Sequence, residues 1–186
     1  MASSGKKQTD PARSRPPVLA LFVAAAACVV GCGKGPAVAP IAARDEARPF
    51  VFDSLDERPV SSEAFRGKPA VLLFLTTWDV ASQAEVGIVS RMAQRDGGEV
   101  RYAIVALHEK HERELVENYA RALKVTFPVA LGDSESRVGR GPLGDVHAIP
   151  TVLVLDARGR IVQKHVGITK ADVLRPSIEA AKRDAP

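Results

Sequence analysis

Two oxygen-bearing side chains three residues apart, Asp79 and Ser82, stand where an apolar run gives way to a segment with helical spacing. A carboxylate at the start of a helix accepts a backbone N–H, here that of Ala81 or Ser82, an interaction typically worth about 1 kcal/mol. Ser82 is followed by Gln83-Ala84-Glu85, the spacing of a second capping box. Capping is therefore the ordinary role of both. A new polar site would need a base beside the Ser82 hydroxyl to make it a nucleophile. His147 and His108 are the candidates, and the spacing brings neither to Ser82. The chain has four histidines. His108 and His111 would share a face only if both were helical, and with His147 they define a metal-carrier alternative. Glu109 does not complete the zinc-protease motif, whose histidines are further apart, and a metal site needs several converging ligands. Solvent-facing histidines are the expectation, His165 in an alternating strand included, with no metal and no cofactor.

Both cysteines, Cys28 and Cys32, fall in an N-terminal apolar run, so residues 33–186 contain no thiol. Peroxidase and thiol-exchange chemistry both require a thiolate nucleophile, and that segment cannot supply one.

The elements that must position Asp79 and Ser82 are legible on either side of them. Ala70-Val-Leu-Leu-Phe-Leu75 is apolar without alternation, as expected of a strand buried on both faces. Thr76-Thr77-Trp78 turns the chain into a helix over about 80–95, with an apolar stripe at Val86, Val89 and Ala93, ended by Gly97-Gly98. A short strand is expected at 50–52, then a loop with a helical turn around Ser61 to Phe65. A second buried strand is expected over 100–107, and an amphipathic helix over about 111–123 on Leu115, Tyr119, Ala122 and Leu123. The charged run 109–117 reads as its solvated face. A short strand is expected at 127–131, followed by a polar connection over 133–144 with about one helical turn. Strands at 149–155 and 161–166 flank Asp156-Ala-Arg-Gly159-Arg160, a strong hairpin signal. The last helix opens at Thr169-Lys-Ala-Asp172, with Thr169 and Asp172 as expected caps and Leu174, Ile178 and Ala181 as its apolar face. Pro176 predicts a kink or a late start. This order gives an α/β fold, a mixed central sheet with helices on both faces.

Residues 18–30 form a thirteen-residue apolar run after a polar, basic stretch. That length suits a secretory signal and is short of the about 20 residues of a spanning helix. Val29-Val30-Gly31-Cys32 resembles the bacterial lipobox, which implies a signal peptide over 1–31, lipidation of Cys32 and a periplasm-facing lipid anchor in the cell envelope. Gly33 in place of Asp resembles lipoproteins passed to the outer membrane. An ordinary cleaved signal or an uncleaved anchor is the alternative. Residues 32–48 read as a tether, and 49–186 as the domain. The formal charge of +4 is concentrated at the N-terminus. Setting aside Lys6, Lys7, Arg13, Arg15 and Asp10 leaves 22 basic against 21 acidic side chains, so no basic stripe for nucleic acid remains.

The strand, Thr-Trp turn and helix resemble the active-site segment of TlpA/ResA-like (redoxin) members of the thioredoxin-like superfamily. In those proteins Trp is followed by Cys-x-x-Cys, one further residue, Ala and Glu. Trp78, Ala84 and Glu85 fall in register, and Asp79 and Ser82 occupy the two cysteine places. Ile149-Pro150-Thr151 resembles the family's cis-proline loop, which offers backbone groups to an extended peptide. The resemblance covers about residues 50–183 and implies a thioredoxin-like fold. It leaves three functional alternatives: a redox-inactive binding or accessory module, a thiol-disulfide oxidoreductase or peroxiredoxin-like enzyme as in its relatives, and the histidine metal carrier. For the first, the implied partners are the membrane, through Cys32, and an extended peptide or envelope protein at the Pro150 loop.

Overall fold

The computed structural model of the protein describes residues 48–183. The signal peptide, Cys32 and nearly all of the tether expected from the sequence lie outside them. The strands are β1 (Val51–Ser54), β2 (Val60–Ser61), β3 (Ala70–Leu75), β4 (Arg101–Ala106), β5 (Val129–Leu131), β6 (Thr151–Leu155) and β7 (Ile161–Val166). The helices are α1 (Val80–Asp96), α2 (Arg113–Ala122), α3 (Ser134–Arg137) and α4 (Ala171–Arg183), with a 3₁₀ turn at Lys110–Glu112 leading into α2.

The strands form one mixed sheet in the order β2-β1-β5-β4-β3-β6-β7. β3, β4 and β5 run parallel, while β6 is antiparallel to β3 and begins the β6–β7 hairpin. β3 lies inside the sheet between β4 and β6, and every one of its residues is buried, which is why its sequence shows no alternation. Val71, Leu73 and Leu75 point to a core shared with Val86, Val89 and Met92 of α1, Val116 of α2, and Leu174 and Ile178 of α4. Ala70, Leu72 and Phe74 point the other way, to Phe50, Phe52, Phe65, Leu143 and Val146. The β5-to-β6 connection, which contains α3, thus covers the second face.

α1 ends where Gly97 takes a left-handed φ of 55° that a Cβ would disfavour. The hairpin turn is built as its composition predicts. Asp156 Oδ1 accepts the N–H groups of Arg158 and Arg160, and Gly159 sits at φ 84°.

Several local expectations are corrected. Val60–Ser61 pairs with β1 as a strand too short to leave a pattern. Thr169 does not cap α4: its hydroxyl turns back to the Gly167 carbonyl at 3.1 Å, and its N–H is taken by Glu85. α4 starts at Ala171, so Pro176 delays nothing. The carbonyl it leaves without a helical donor belongs to Asp172, in the exposed first turn.

Candidate functional site

Four chain segments meet at one end of the sheet. β3 and β4 are parallel and in register at Leu75 and Ala106, so Thr76–Asp79 and Leu107–His108 leave the sheet together. β6 is antiparallel to β3, with Thr151 opposite Phe74, which brings Ile149 and Pro150 to the same end. β7 finishes there too, and the Gly167 N–H bonds the Pro150 carbonyl at 2.8 Å.

Asp79 is the N-cap of α1, as its position predicts. Its Oδ2 accepts the Ser82 N–H at 2.6 Å, and the nearby Ser82 hydroxyl, together with the Ser82 and Ala81 N–H groups, holds its carboxyl below the usual carboxylate range. Replacing Asp79 with Ala removes the bond and is expected to lower stability by about 1 kcal/mol at neutral pH, measured by urea unfolding. Because the folded-state value is depressed, the difference shrinks as the pH falls below the ordinary carboxylate value and is lost below the folded one.

Ser82 is not part of a second capping box. With the cap at Asp79, Ser82 lies inside the first turn and faces the sheet, fully buried, its Oγ near the Asp79 carboxylate but without hydrogen-bond geometry. Glu85, one turn on, faces the same way and is also fully buried. Its Oε2 accepts the Thr169 N–H at 2.8 Å, while Oε1 has no partner. Burial raises its carboxyl to about 7, against the Thr169 bond that lowers it. Thr76 Oγ1 is a further buried, unpartnered oxygen at the C-terminal end of β3. Spacing alone had singled out Glu85 only as a cap, and its burial follows from the helix phase that the Asp79 cap sets.

Two of the four histidines, His108 and His165, are buried against expectation. His108 is 1 % exposed. Its Nε2 accepts the Thr77 N–H at 3.0 Å, and Trp78 packs edge-on against its ring with centroids 4.5 Å apart. Its Nδ1 lies 3.3 Å from Glu112 Oε2 without hydrogen-bond geometry, and desolvation pushes the imidazole below its ordinary value despite the glutamate. His165 is also buried, because the β7 face it occupies is covered by α4, where Ser177 Oγ lies 3.0 Å from its Nε2. Burial depresses it as well. His111 and His147 are exposed and paired with Glu109 and Asp145. Among the described residues no three His, Cys, Asp or Glu side chains converge as a metal site. Neither His108 nor His147 bonds Ser82, so no base is in place for a serine nucleophile.

The Ile149–Pro150 peptide bond is cis. General frequencies favour trans at such a bond, and only the family resemblance points to cis. Thr151 Oγ1 donates to the Ala148 carbonyl at 2.6 Å across the turn. Neither the N–H nor the C=O of Ile149 is bonded within the described chain. Trp78 is 66 % exposed, and Val80 and Ile168 are exposed large apolar residues on segments reaching this end.

No family model and no curated protein matches this chain. Solved structures do. A DsbF homologue from Corynebacterium diphtheriae superposes with a TM-score of 0.64 at 16% identity, covering 80% of this chain and 94% of that one. A thioredoxin-family thiol:disulfide interchange protein from Chlorobium tepidum gives 0.61 at 22%, covering 81% and 99%. StoA from Bacillus subtilis gives 0.57 at 22%, covering 70% and 96%. At such identities the likeness is one of fold. With the strand order, it shows that the described part of this chain has a thioredoxin-like fold.

Proposed function

We propose that this is a redox-silent thioredoxin-like module of the bacterial cell envelope, anchored by lipid on Cys32, facing the periplasm and working by binding. Its partner is an extended peptide segment of an envelope protein, in support of protein maturation or redox homeostasis. The observation that carries this is the occupancy of the α1 entrance. The two places where the family keeps its cysteines hold a carboxylate tied into a helix cap and a sealed hydroxyl. Neither group can form or break a disulfide.

The binding surface is supported by the open backbone groups of Ile149, beside the exposed Trp78 ring. An extended segment adding to such an edge takes its affinity from main-chain hydrogen bonds and needs no thiol. Relatives named as interchange proteins suggest the unfolded envelope proteins that such a surface would meet. The lipobox and Gly33 support an outer-membrane anchor, and mass spectrometry of the mature N-terminus tests it.

Titration with S-carboxymethylated α-lactalbumin, an unfolded chain lacking thiols, tests the binding. The expected result is a set of amide shifts confined to Trp78, Ile149 and Gly167. Trp78→Ala should weaken binding about tenfold, the scale of an aromatic hot spot. Shifts elsewhere, or none, would remove the support for peptide binding.

A further inference from the structure

Trp78 stands on a loop with a single tie. The Thr77 N–H donates to His108 Nε2 at 3.0 Å, and among the described residues this is the one hydrogen bond that the Thr77 and Trp78 backbone makes. The exposed Trp78 ring rests edge-on against the same imidazole, with centroids 4.5 Å apart. His108 is itself buried and fixed from behind, its own N–H bonding the Ala106 carbonyl at 2.9 Å where β4 ends. One side chain thus holds both the backbone and the ring.

That hold depends on protonation. An imidazole nitrogen accepts a hydrogen bond only while it carries no proton. A proton on Nε2 would set two N–H groups against each other at 3.0 Å, so the charged ring cannot keep the Thr77 bond. In the neutral ring the proton sits on Nδ1, which lies 3.3 Å from Glu112 Oε2. Glu112, on the 3₁₀ turn, is the charged group that acts on the ring, and desolvation outweighs its attraction, so His108 is neutral at pH 7. The loop's other neighbours titrate elsewhere. Asp79 at the α1 entrance is held below the usual carboxylate range, and burial pushes Tyr119 of α2 up to about 12. Glu85, at about 7, bonds Thr169 on the β7–α4 connection rather than this loop.

We propose that neutral His108 is a positioning residue of the peptide surface, and that its protonation releases Thr77 and Trp78 and weakens binding there. The change in affinity rests on the peptide-binding function proposed for this surface, whereas release of the loop rests on the His108 contacts alone. Once released, the ring reaches water and regains its ordinary value of 6.5, so a falling pH favours the released loop. The module would bind extended segments near neutral pH and let them go in mild acid.

The full-length protein is titrated from pH 7.5 to 5 while the amide shifts of Thr77 and Trp78 and the ring shifts of His108 are followed. Affinity is measured at both ends for an acetylated and amidated Thr-Val-Phe-Val-Thr peptide, which has no group that titrates in that range. The Thr77, Trp78 and His108 signals are expected to move together, with a midpoint below pH 6.5. Affinity should fall at least about fivefold at pH 5, since about one and a half units below the ordinary histidine value protonation can shift such a balance up to about thirtyfold. His108→Gln, whose amide oxygen can take the Thr77 N–H without becoming charged, should keep its affinity at both ends, and His108→Leu should be weak at both. Glu85→Gln and His111→Gln should keep the parent's pH dependence. Thr77 and Trp78 shifts that ignore the His108 titration, or a pH-dependent affinity that persists in His108→Gln, would overturn the proposal, and neither result needs the leucine variant to fold. A peptide that binds at neither pH, while the three signals still move together, would remove the peptide-binding function and leave the hold on Trp78 standing.

Discussion

Replacing Asp79 and Ser82 together with cysteine is expected to give the protein an insulin-reducing activity that, on the function proposed above, the parent lacks. The scaffold for the chemistry is in place. Position 79 sits at the entrance of a seventeen-residue helix, where the N–H groups that now bond the carboxylate would stabilise a thiolate. Position 82 is one turn deeper and fully buried, and a thiol is easier to bury there than the present unpartnered hydroxyl. The loss of the Asp79 cap costs about 1 kcal/mol, which the Ser82 change offsets in part. Insulin turnover by the double variant should exceed the blank at least about tenfold, since a competent thiolate is the missing element. The thiol introduced at position 79 should alkylate with a pKa below the ordinary value of about 8.5. A double variant that folds, as judged by its amide spectrum, and stays at the blank would mean that the α1 entrance and the Pro150 loop do not form the working geometry of the family.

Glu85→Gln is expected to stabilise the protein above neutral pH by about 2 to 3 kcal/mol and to leave it unchanged near pH 4. Glu85 is fully buried, and its folded-state value stands at about 7 against an ordinary 4.5. Between those values the folded state holds a proton that the unfolded state has released. Its stabilising contribution is therefore complete below the ordinary value and is lost as the pH rises through about 7. Glutamine is neutral throughout and keeps an oxygen for the Thr169 N–H, so the loss disappears. His108 and His165 act in the opposite direction. Both are depressed by burial, so they cost stability as the pH falls from the ordinary histidine value downward. Comparing the variant with the parent at each pH cancels their effect. Urea unfolding from pH 4 to 8 makes the measurement, and parallel curves would show that Glu85 is not buried as described.

The chain carries most of its fold in patterns that need no partner to interpret. The unbroken apolar run of β3, the stripe on α1 and the Asp-to-Gly turn of the β6–β7 hairpin each depend on neighbours close in sequence, and each stands within a residue or so of its expected place. What stayed hidden was decided by distant contacts. Thr169 had the chemistry of a cap, yet its N–H is claimed by a carboxylate 84 residues away. Ser82 and Glu85 had the spacing of a capping box, but Asp79 had already fixed the helix phase and turned both inward. His165 alternated as a solvent-facing residue should, and α4 covers that face. His108 follows a strand end and was expected at the surface. Its ring is instead drawn under Trp78 by the Thr77 N–H.

On the function proposed above, oxygen at positions 79 and 82 leaves this domain without redox chemistry. Insulin reduction with dithiothreitol tests it most directly, using the parent chain beside a Cys28→Ser/Cys32→Ser variant so that the N-terminal thiols cannot contribute. The expected result is that the variant matches the blank at every concentration. Turnover by the cysteine-free variant that rises in proportion to its concentration would contradict the claim.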